Sequence, residues 1–180
     1  MSPHLTHVFT LRGYLSHDSA HAGMYLSGPQ RIITPIEGGF VRGVPGTRGE
    51  GLDVTLMKGG SDWALFESAT NTLHIDVRIQ GIMAGSSAFY IQYTGYWTVD
   101  EQTTKFIARS SDALSTQFGD HHWWIRPTIE TNCKLFKISQ YDIFRWLIFN
   151  ESYQFQVDGN YSIHRPWALR NGGRAPGSGI

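Results

Sequence analysis

The sequence predicts an all-β fold, a compact antiparallel barrel of about 8–10 strands around a central ligand cavity. Three observations point there. The dominant hydrophobic period is two, the short apolar runs are separated by Gly, Pro and Asn turn signals, and no long amphipathic helix interrupts them. In chain order the expected strands are Leu5–Leu15, Arg31–Ile36, Leu52–Met57, Trp63–Ser68, Leu73–Gln80, Ala88–Trp97, Lys105–Arg109, His122–Glu130, Trp146–Gln156 and Tyr161–His164. Gly38-Gly39, Pro45-Gly46, Gly59-Gly60, Gly85-Ser86 and Asp158-Gly159-Asn160 supply the turns between them. Asp112–Gly119 reads as a loop or short helix, and Ser139–Phe144 as one helical turn before a strand. A closed barrel would remove the exposed edges that so many aromatic strands would otherwise present.

The clearest strand is Leu73–Gln80. Leu73, Ile75, Val77 and Ile79 share one face, and His74, Asp76, Arg78 and Gln80 share the other. His122–Glu130 alternates in the same way, with His122, Trp124, Arg126, Thr128 and Glu130 opposite Trp123, Ile125, Pro127 and Ile129. Ala88–Trp97 gives a third polar row through Tyr90, Gln92, Thr94 and Tyr96. The pattern alone leaves open whether these polar rows face solvent or line the cavity. If they line it, the apolar faces must be covered by other elements or by a second subunit.

The chain has 180 residues, which fits one domain; residues 1–170 are expected to form it, and 171–180, rich in Gly and Pro, to form a flexible tail. Lys plus Arg and Asp plus Glu are 15 each, so the formal net charge is zero. That balance argues against nucleic acid as a partner, which would call for a basic patch. Charged residues are 17 %, below the roughly 25 % of an average domain, while aromatics reach 13 %. No apolar run is long enough for a spanning helix, and the N-terminus lacks the pattern of a signal peptide. With Cys133 as the single cysteine, a cytoplasmic protein is expected, without membrane attachment. The sequons at Asn150 and Asn160 then read as chance matches.

Several residues could carry chemistry. Asp76 and Arg78 lie two positions apart on one side of a strand, where an Asp could accept a hydroxyl proton and an Arg could hold a developing anion. The alternative is a salt bridge that only orders the barrel. His74 continues the row and could relay a proton, and Glu130 adds a carboxylate. Asp62 and Trp63 follow a double glycine. They read either as turn cap and core anchor or, for Asp62, as a proton acceptor at the barrel mouth. Trp63, Asp62, Tyr90, Gln92, His122, Trp124 and Arg126 are the candidate substrate contacts for a planar, oxygen-rich ligand. Metal sites look poor. His121 and His122 point to opposite faces of a strand, and His17 and His21 lack the Glu of a zincin helix. No phosphate-binding glycine loop, nucleophile elbow or paired cysteine is evident, so no cofactor is expected.

The ordered segments G-P-Q-R-I-I-T-P-I-E-G-G-F (Gly28–Phe40), G-G-S-D-W (Gly59–Trp63), H-I-D-V-R (His74–Arg78), A-F-Y-I-Q-Y-T-G (Ala88–Gly95), P-T-I-E (Pro127–Glu130) and F-R-W-L (Phe144–Leu147) together resemble the family called domain of unknown function 3237. The resemblance runs over roughly Leu5 to Tyr161, with a longer segment before Gly59 and a divergent Thr103–Trp124. It implies a compact barrel similar to allene oxide cyclase and lipocalin-like barrels. It also implies, from some fungal members, a cofactor-free cyclase of natural-product biosynthesis that adds a hydroxyl across a C=C bond.

The expected function is therefore a cofactor-independent cyclase or isomerase that closes an oxygen heterocycle on an aromatic, polyketide-like substrate. In it Asp76, Arg78, His74 and Glu130 would act on protons and charge. The alternative is a non-catalytic barrel that carries an aromatic small molecule. A homo-oligomer, with a dimer as the first guess, is expected to cover apolar outer strand faces.

Overall fold

The computed structural model describes residues 5–26, 28–116, 120–133, 154–158 and 160–170. Ten strands and one short helix occur among them: β1 Leu5–Leu15, β2 Ala20–Met24, β3 Gln30–Gly43, β4 Asp53–Leu56, β5 Gly60–Glu67, β6 Thr72–Met83, β7 Ala88–Thr98, α1 Glu101–Ile107, β8 Trp123–Thr131, β9 Gln154–Asp158 and β10 Asn160–Arg170. All pair antiparallel in one sheet of order β8-β7-β6-β4-β3-β1-β10-β9. β5 also bridges β3 and β6, and β2 adds to β3. The sheet curls into a closed antiparallel barrel with extra strands.

The pleat decides which way each strand faces. On β6, Leu73, Ile75, Val77 and Ile79 are at most 4 % exposed, and they point inward. Burying such a side chain is worth about 1.5–3 kcal/mol, so turning the strand over would forfeit roughly 6–12 kcal/mol. That is comparable with the whole net stability of a small domain, and a one-residue slip would do it. Phe89, Ile91, Tyr93 and Trp97 of β7 and Trp123, Ile125 and Ile129 of β8 fill the same interior. Trp97 and Trp123 stack with centroids 4.2 Å apart.

Two local expectations are corrected. Gly38-Gly39 does not end a strand: β3 runs through it, pairing with β2 and β5 up to Ile36 and with β1 and β4 beyond it. The β1–β3 register skips Glu37, and the strand bends there from one wall of the barrel to the next. Glycine is required because a Cβ on Gly39 would lie 1.9 Å from the Arg12 carbonyl oxygen, at a φ of +138°. Lys105–Arg109, expected as a strand, belongs instead to α1 and the residues just after it. Asp100 caps this helix, accepting from the Thr103 amide at 2.7 Å, and Lys105 pairs with Glu101 one turn earlier. Local capping outweighs the weak β pattern of that segment.

β2, missed by the strand reading, is exposed along its whole length and has no apolar alternation to announce it. Ser139–Phe144, the stretch from Trp146 up to β9, Asn150 and the tail 171–180 lie outside the described residues. Among the described residues no helix is long and apolar enough to cross a membrane.

Replacing Gly39 with Ala is expected to lower the unfolding free energy by more than about 2 kcal/mol, read from urea denaturation. An unchanged midpoint would contradict the close approach of β3 to β1.

Candidate active site

The polar rows face outward. His74, Asp76 and Arg78 of β6, Tyr90 and Gln92 of β7, Trp124, Arg126 and Glu130 of β8, His122 just before it, and Trp63 of β5 all stand on the outer surface of the barrel. None of these residues lines either of the two cavities formed by the described residues that hold Asp62. The reading in which they enclose the ligand is thereby corrected, because the aliphatic partners on each strand occupy the inside.

The structure still brings them together, as one surface across β5–β8. Register places His74 opposite Tyr96, Tyr96 opposite Trp124, Thr94 opposite Arg126 and Tyr90 opposite Glu130. Arg78 reaches Asp76 only at 3.5 Å, with Arg78 exposed and Asp76 half-buried. Such a pair adds little to stability.

Asp62 is the exception. On β5 the alternation turns Asp62, Ala64 and Phe66 inward and leaves Trp63 outside. The β5–β6 register pairs Asp62 with Val77 and Leu65 with His74, skipping the two positions between. There the Asp62 carboxylate takes over from the backbone: its Oδ1 accepts the Asp76 amide at 3.3 Å. That bond orients the carboxylate in the wall of a large cavity.

The cavity holds about 540 Å³, within the range of small-molecule sites. Its buried walls are Ala64, Leu73, Ile75, Trp97 and Phe106, joined by Phe66, Ile32 and Val99. Asp62 also borders a void of about 10 Å³ among Leu11, Val77, Ile79 and Tyr93 in the barrel core. The half-buried Asp62 therefore sits between this cavity and the packed interior.

The rim is polar and comes from short connections. His17 and Ser19 follow β1, His21 lies on β2 and Thr34 on β3. Ser19 Oγ and Thr34 Oγ1 are 3.1 Å apart, and Gln30 Nε2 approaches His21 Nδ1 at 3.4 Å. Across from them, Thr104, Ile107, Ala108 and Arg109 close the other side from α1. Arg109 takes a positive φ of 53° just past the helix, and its Nη2 donates to the Ser16 carbonyl. This bond ties the end of α1 to the end of β1.

The sequence matches the family described as protein of unknown function (DUF3237) over residues 3–144. The chain belongs to the DUF3237 family. Solved structures show the same fold at low identity. A conserved protein of unknown function from Rhodopseudomonas palustris aligns with a TM-score of 0.65 and 15 % identity, covering 94 % of this chain and 98 % of its own. A protein of unknown function from Clostridium acetobutylicum aligns at 0.63 and 17 %, covering 92 % and 99 %. A β-barrel-like protein from Acinetobacter baumannii aligns at 0.60 and 19 %, covering 94 % and 97 %. No curated protein is a significant match.

Within the DUF3237 match, the Gly59–Trp63 segment does two jobs. Gly59 has a φ of +115°, and at Gly60 a Cβ would press within 2.6 Å of the Arg78 carbonyl oxygen. The double glycine thus brings β5 tight against β6 and sets the phase that turns Asp62 in and Trp63 out.

Reading the sequence passed over Arg109 and α1, although Asp100 followed by Glu101, Thr103 and Lys105 is a recognisable cap. His17 and His21, weighed only as a metal pair, prove to be rim residues. Among the described residues no group of three or more His, Cys, Asp or Glu side chains is arranged to hold a metal.

The wall carrying α1 has an electrostatic lock. His121, buried at 3 % exposure, meets Asp100 Oδ2 through Nδ1 at 2.6 Å and packs edge-on against Trp97. Burial pushes the Asp100 carboxyl up, but the Thr103 amide and His121 together outweigh it and hold its pKa below the usual value. A depressed carboxylate pKa adds stability that is present above the unfolded-state pKa and is lost as pH falls through the folded one. Asp100→Asn keeps a capping oxygen and removes the charge. Its Tm should fall below wild type near neutral pH, and the gap should close as the pH drops through the acid range. A gap independent of pH would refute the lock.

Proposed function

We propose that the cavity binds an aromatic small molecule and moves a proton on it through Asp62, without a metal or nucleotide. The observation that carries this reading is a single carboxylate in the wall of a cavity of about 540 Å³ whose buried walls are apolar. Phe66, Trp97 and Phe106 offer ring surfaces, and Asp62 is oriented by the Asp76 amide before any ligand arrives.

The reaction that fits best is intramolecular addition of a hydroxyl to a C=C bond. Asp62 accepts the hydroxyl proton while the oxygen bonds to one alkene carbon. The alkene electron pair takes up a proton at the other carbon, returned by the Asp62 carboxylic acid. Substrate and product are isomers, and the enzyme ends unchanged. A positioned acid or base contributes about 10²–10⁴-fold. Holding the hydroxyl against the alkene in a folded shape contributes more, of the order of 7 kcal/mol in favourable cases. The largely apolar lining also supports a second reading, a carrier that binds the same ligand and leaves it unchanged.

With 2-allyl-1-naphthol as the test compound, chromatography would follow the cyclic isomer of equal mass. Asp62→Asn is expected to cut its formation by at least about 100-fold while the compound still binds. Arg78→Ala, on the outer surface, should leave the rate within about 2-fold of wild type, as surface substitutions away from the site do. Tight binding with no isomer from wild type would identify a carrier and overturn the catalytic reading.

A further inference from the structure

Resting on that reading of the cavity, we infer that its ligand is a 1,3-dihydroxy aromatic, whose second hydroxyl, meta to the reacting one, bonds to the Thr34 hydroxyl held by Ser19. The β3–β5 register pairs Thr34 with Asp62, and both residues line the cavity, so their side chains stand side by side on its wall. Ser19 lies one position before Ala20 of β2, which pairs with Ile33, and so continues the β2–β3 register opposite Thr34. Its Oγ is 3.1 Å from Thr34 Oγ1. Ser19, Thr34 and Asp62 thus form one row of oxygen-bearing side chains across three adjacent segments. Two residues along in either direction the cross-strand pairs are apolar: Ile32 with Ala64 on one side, Ile36 with Gly60 on the other.

A row of this kind selects ligands by where their oxygens stand. Neighbouring strands lie about 4.8 Å apart, so Thr34 and Asp62 are offset by about that distance. Two oxygens meta to each other on a benzene ring are separated by nearly the same length, and two ortho oxygens by little more than half of it. A ring with meta hydroxyls therefore reaches both partners at once, while its carbon skeleton rests on the apolar pairs to either side. A ring with ortho hydroxyls reaches one of them. The Ser19–Thr34 pair suits a hydroxyl in particular. Each side chain has one hydrogen to donate and lone pairs to accept, and either can be the donor in the bond between them. Where Ser19 donates, Thr34 keeps its hydrogen for the ligand oxygen. Where Thr34 donates, its lone pair accepts from the ligand. Thr34 is thereby a specificity-determining residue and Ser19 a positioning residue, and the proton transfer stays with Asp62.

Three probes separate this inference from the reading beneath it: 1,3-dihydroxynaphthalene, its 2,3-isomer and 2-naphthol. Binding is measured by titration calorimetry. Wild type is expected to bind the 1,3-isomer at least about 5-fold tighter than either other compound, the scale of one neutral hydrogen bond. Thr34→Val keeps the β-branched shape that suits a strand and removes the hydroxyl. It should abolish the preference and leave 2-naphthol within about 2-fold of its wild-type affinity, whereas Thr34→Ser should retain the preference. Ser19→Ala should reduce it. Should Thr34→Val fail to fold, Thr34→Ala is read in its place. Equal affinity of wild type for the two isomers, with 2-naphthol bound, would overturn the 1,3-dihydroxy class and leave the cavity reading standing. A preference that survives loss of the Thr34 hydroxyl would overturn the role of Thr34, and one unchanged in Ser19→Ala the role of Ser19. Failure of all three probes to bind would overturn the cavity reading itself.

Discussion

Everything in this molecule depends on the burial of one apolar face of each long strand inside the barrel. Leu73, Ile75, Val77 and Ile79 on β6 alone outweigh any gain from placing His74, Asp76 and Arg78 within. Three ionisable groups crowded into a dry interior would each need a partner, and the strand offers only a long Asp76–Arg78 contact. Once the aliphatic faces are inside, the polar rows must be outside, and chemistry inside the barrel is left to residues that break the alternation rule. Asp62 is such a residue, a carboxylate on the inward face of β5 where the pattern calls for an apolar side chain.

The cost of that exception is met locally. The Asp76 amide donates to Asp62 where the β5–β6 register is interrupted, so a main-chain donor and a half-buried carboxylate serve each other. The site is not built by one strand. Gly59 and Gly60 set the approach of β5 to β6, the bend at Gly38 and Gly39 carries β3 around the corner, and α1 closes the end of the barrel through Arg109 and Ser16. Trp97 forms a wall of the cavity and is itself backed by Trp123 and His121. Packing of the barrel and shape of the site are therefore the same structure seen from two sides.

Much of the barrel was legible in the sequence. Period-two alternation identified β1, β7 and β8 to within a residue and β6 up to its last three residues, because a half-buried strand writes its two faces directly into the order of side chains. What alternation cannot say is which face turns inward, since an aromatic-lined polar cavity and a solvent surface share one pattern. Trp124 and Tyr96 look like lining residues in sequence and are surface residues in the fold. β2 was silent because all of it is exposed, and α1 was hidden because seven residues are too short to show a helical period. Asp62 was visible as a candidate through its place after the double glycine, but its inward direction follows from the tight β5–β6 approach, a tertiary fact. Arg109 and the histidines at the rim sit in connections, where no periodicity exists to betray a role.

On the proposed function, ligand enters the barrel and does not lie on the polar, aromatic surface outside it. Ala64 and Trp63 are sequence neighbours that face opposite ways, one into the cavity and one to solvent. Titration of 2-naphthol by calorimetry into Ala64→Phe and into a Trp63→Ala, Trp124→Ala double variant separates the two surfaces directly. Filling the cavity with Phe is expected to abolish binding, and stripping the outer rings to leave Kd unchanged within about 2-fold. Unaltered binding by Ala64→Phe, with loss in the outer double variant, would contradict it.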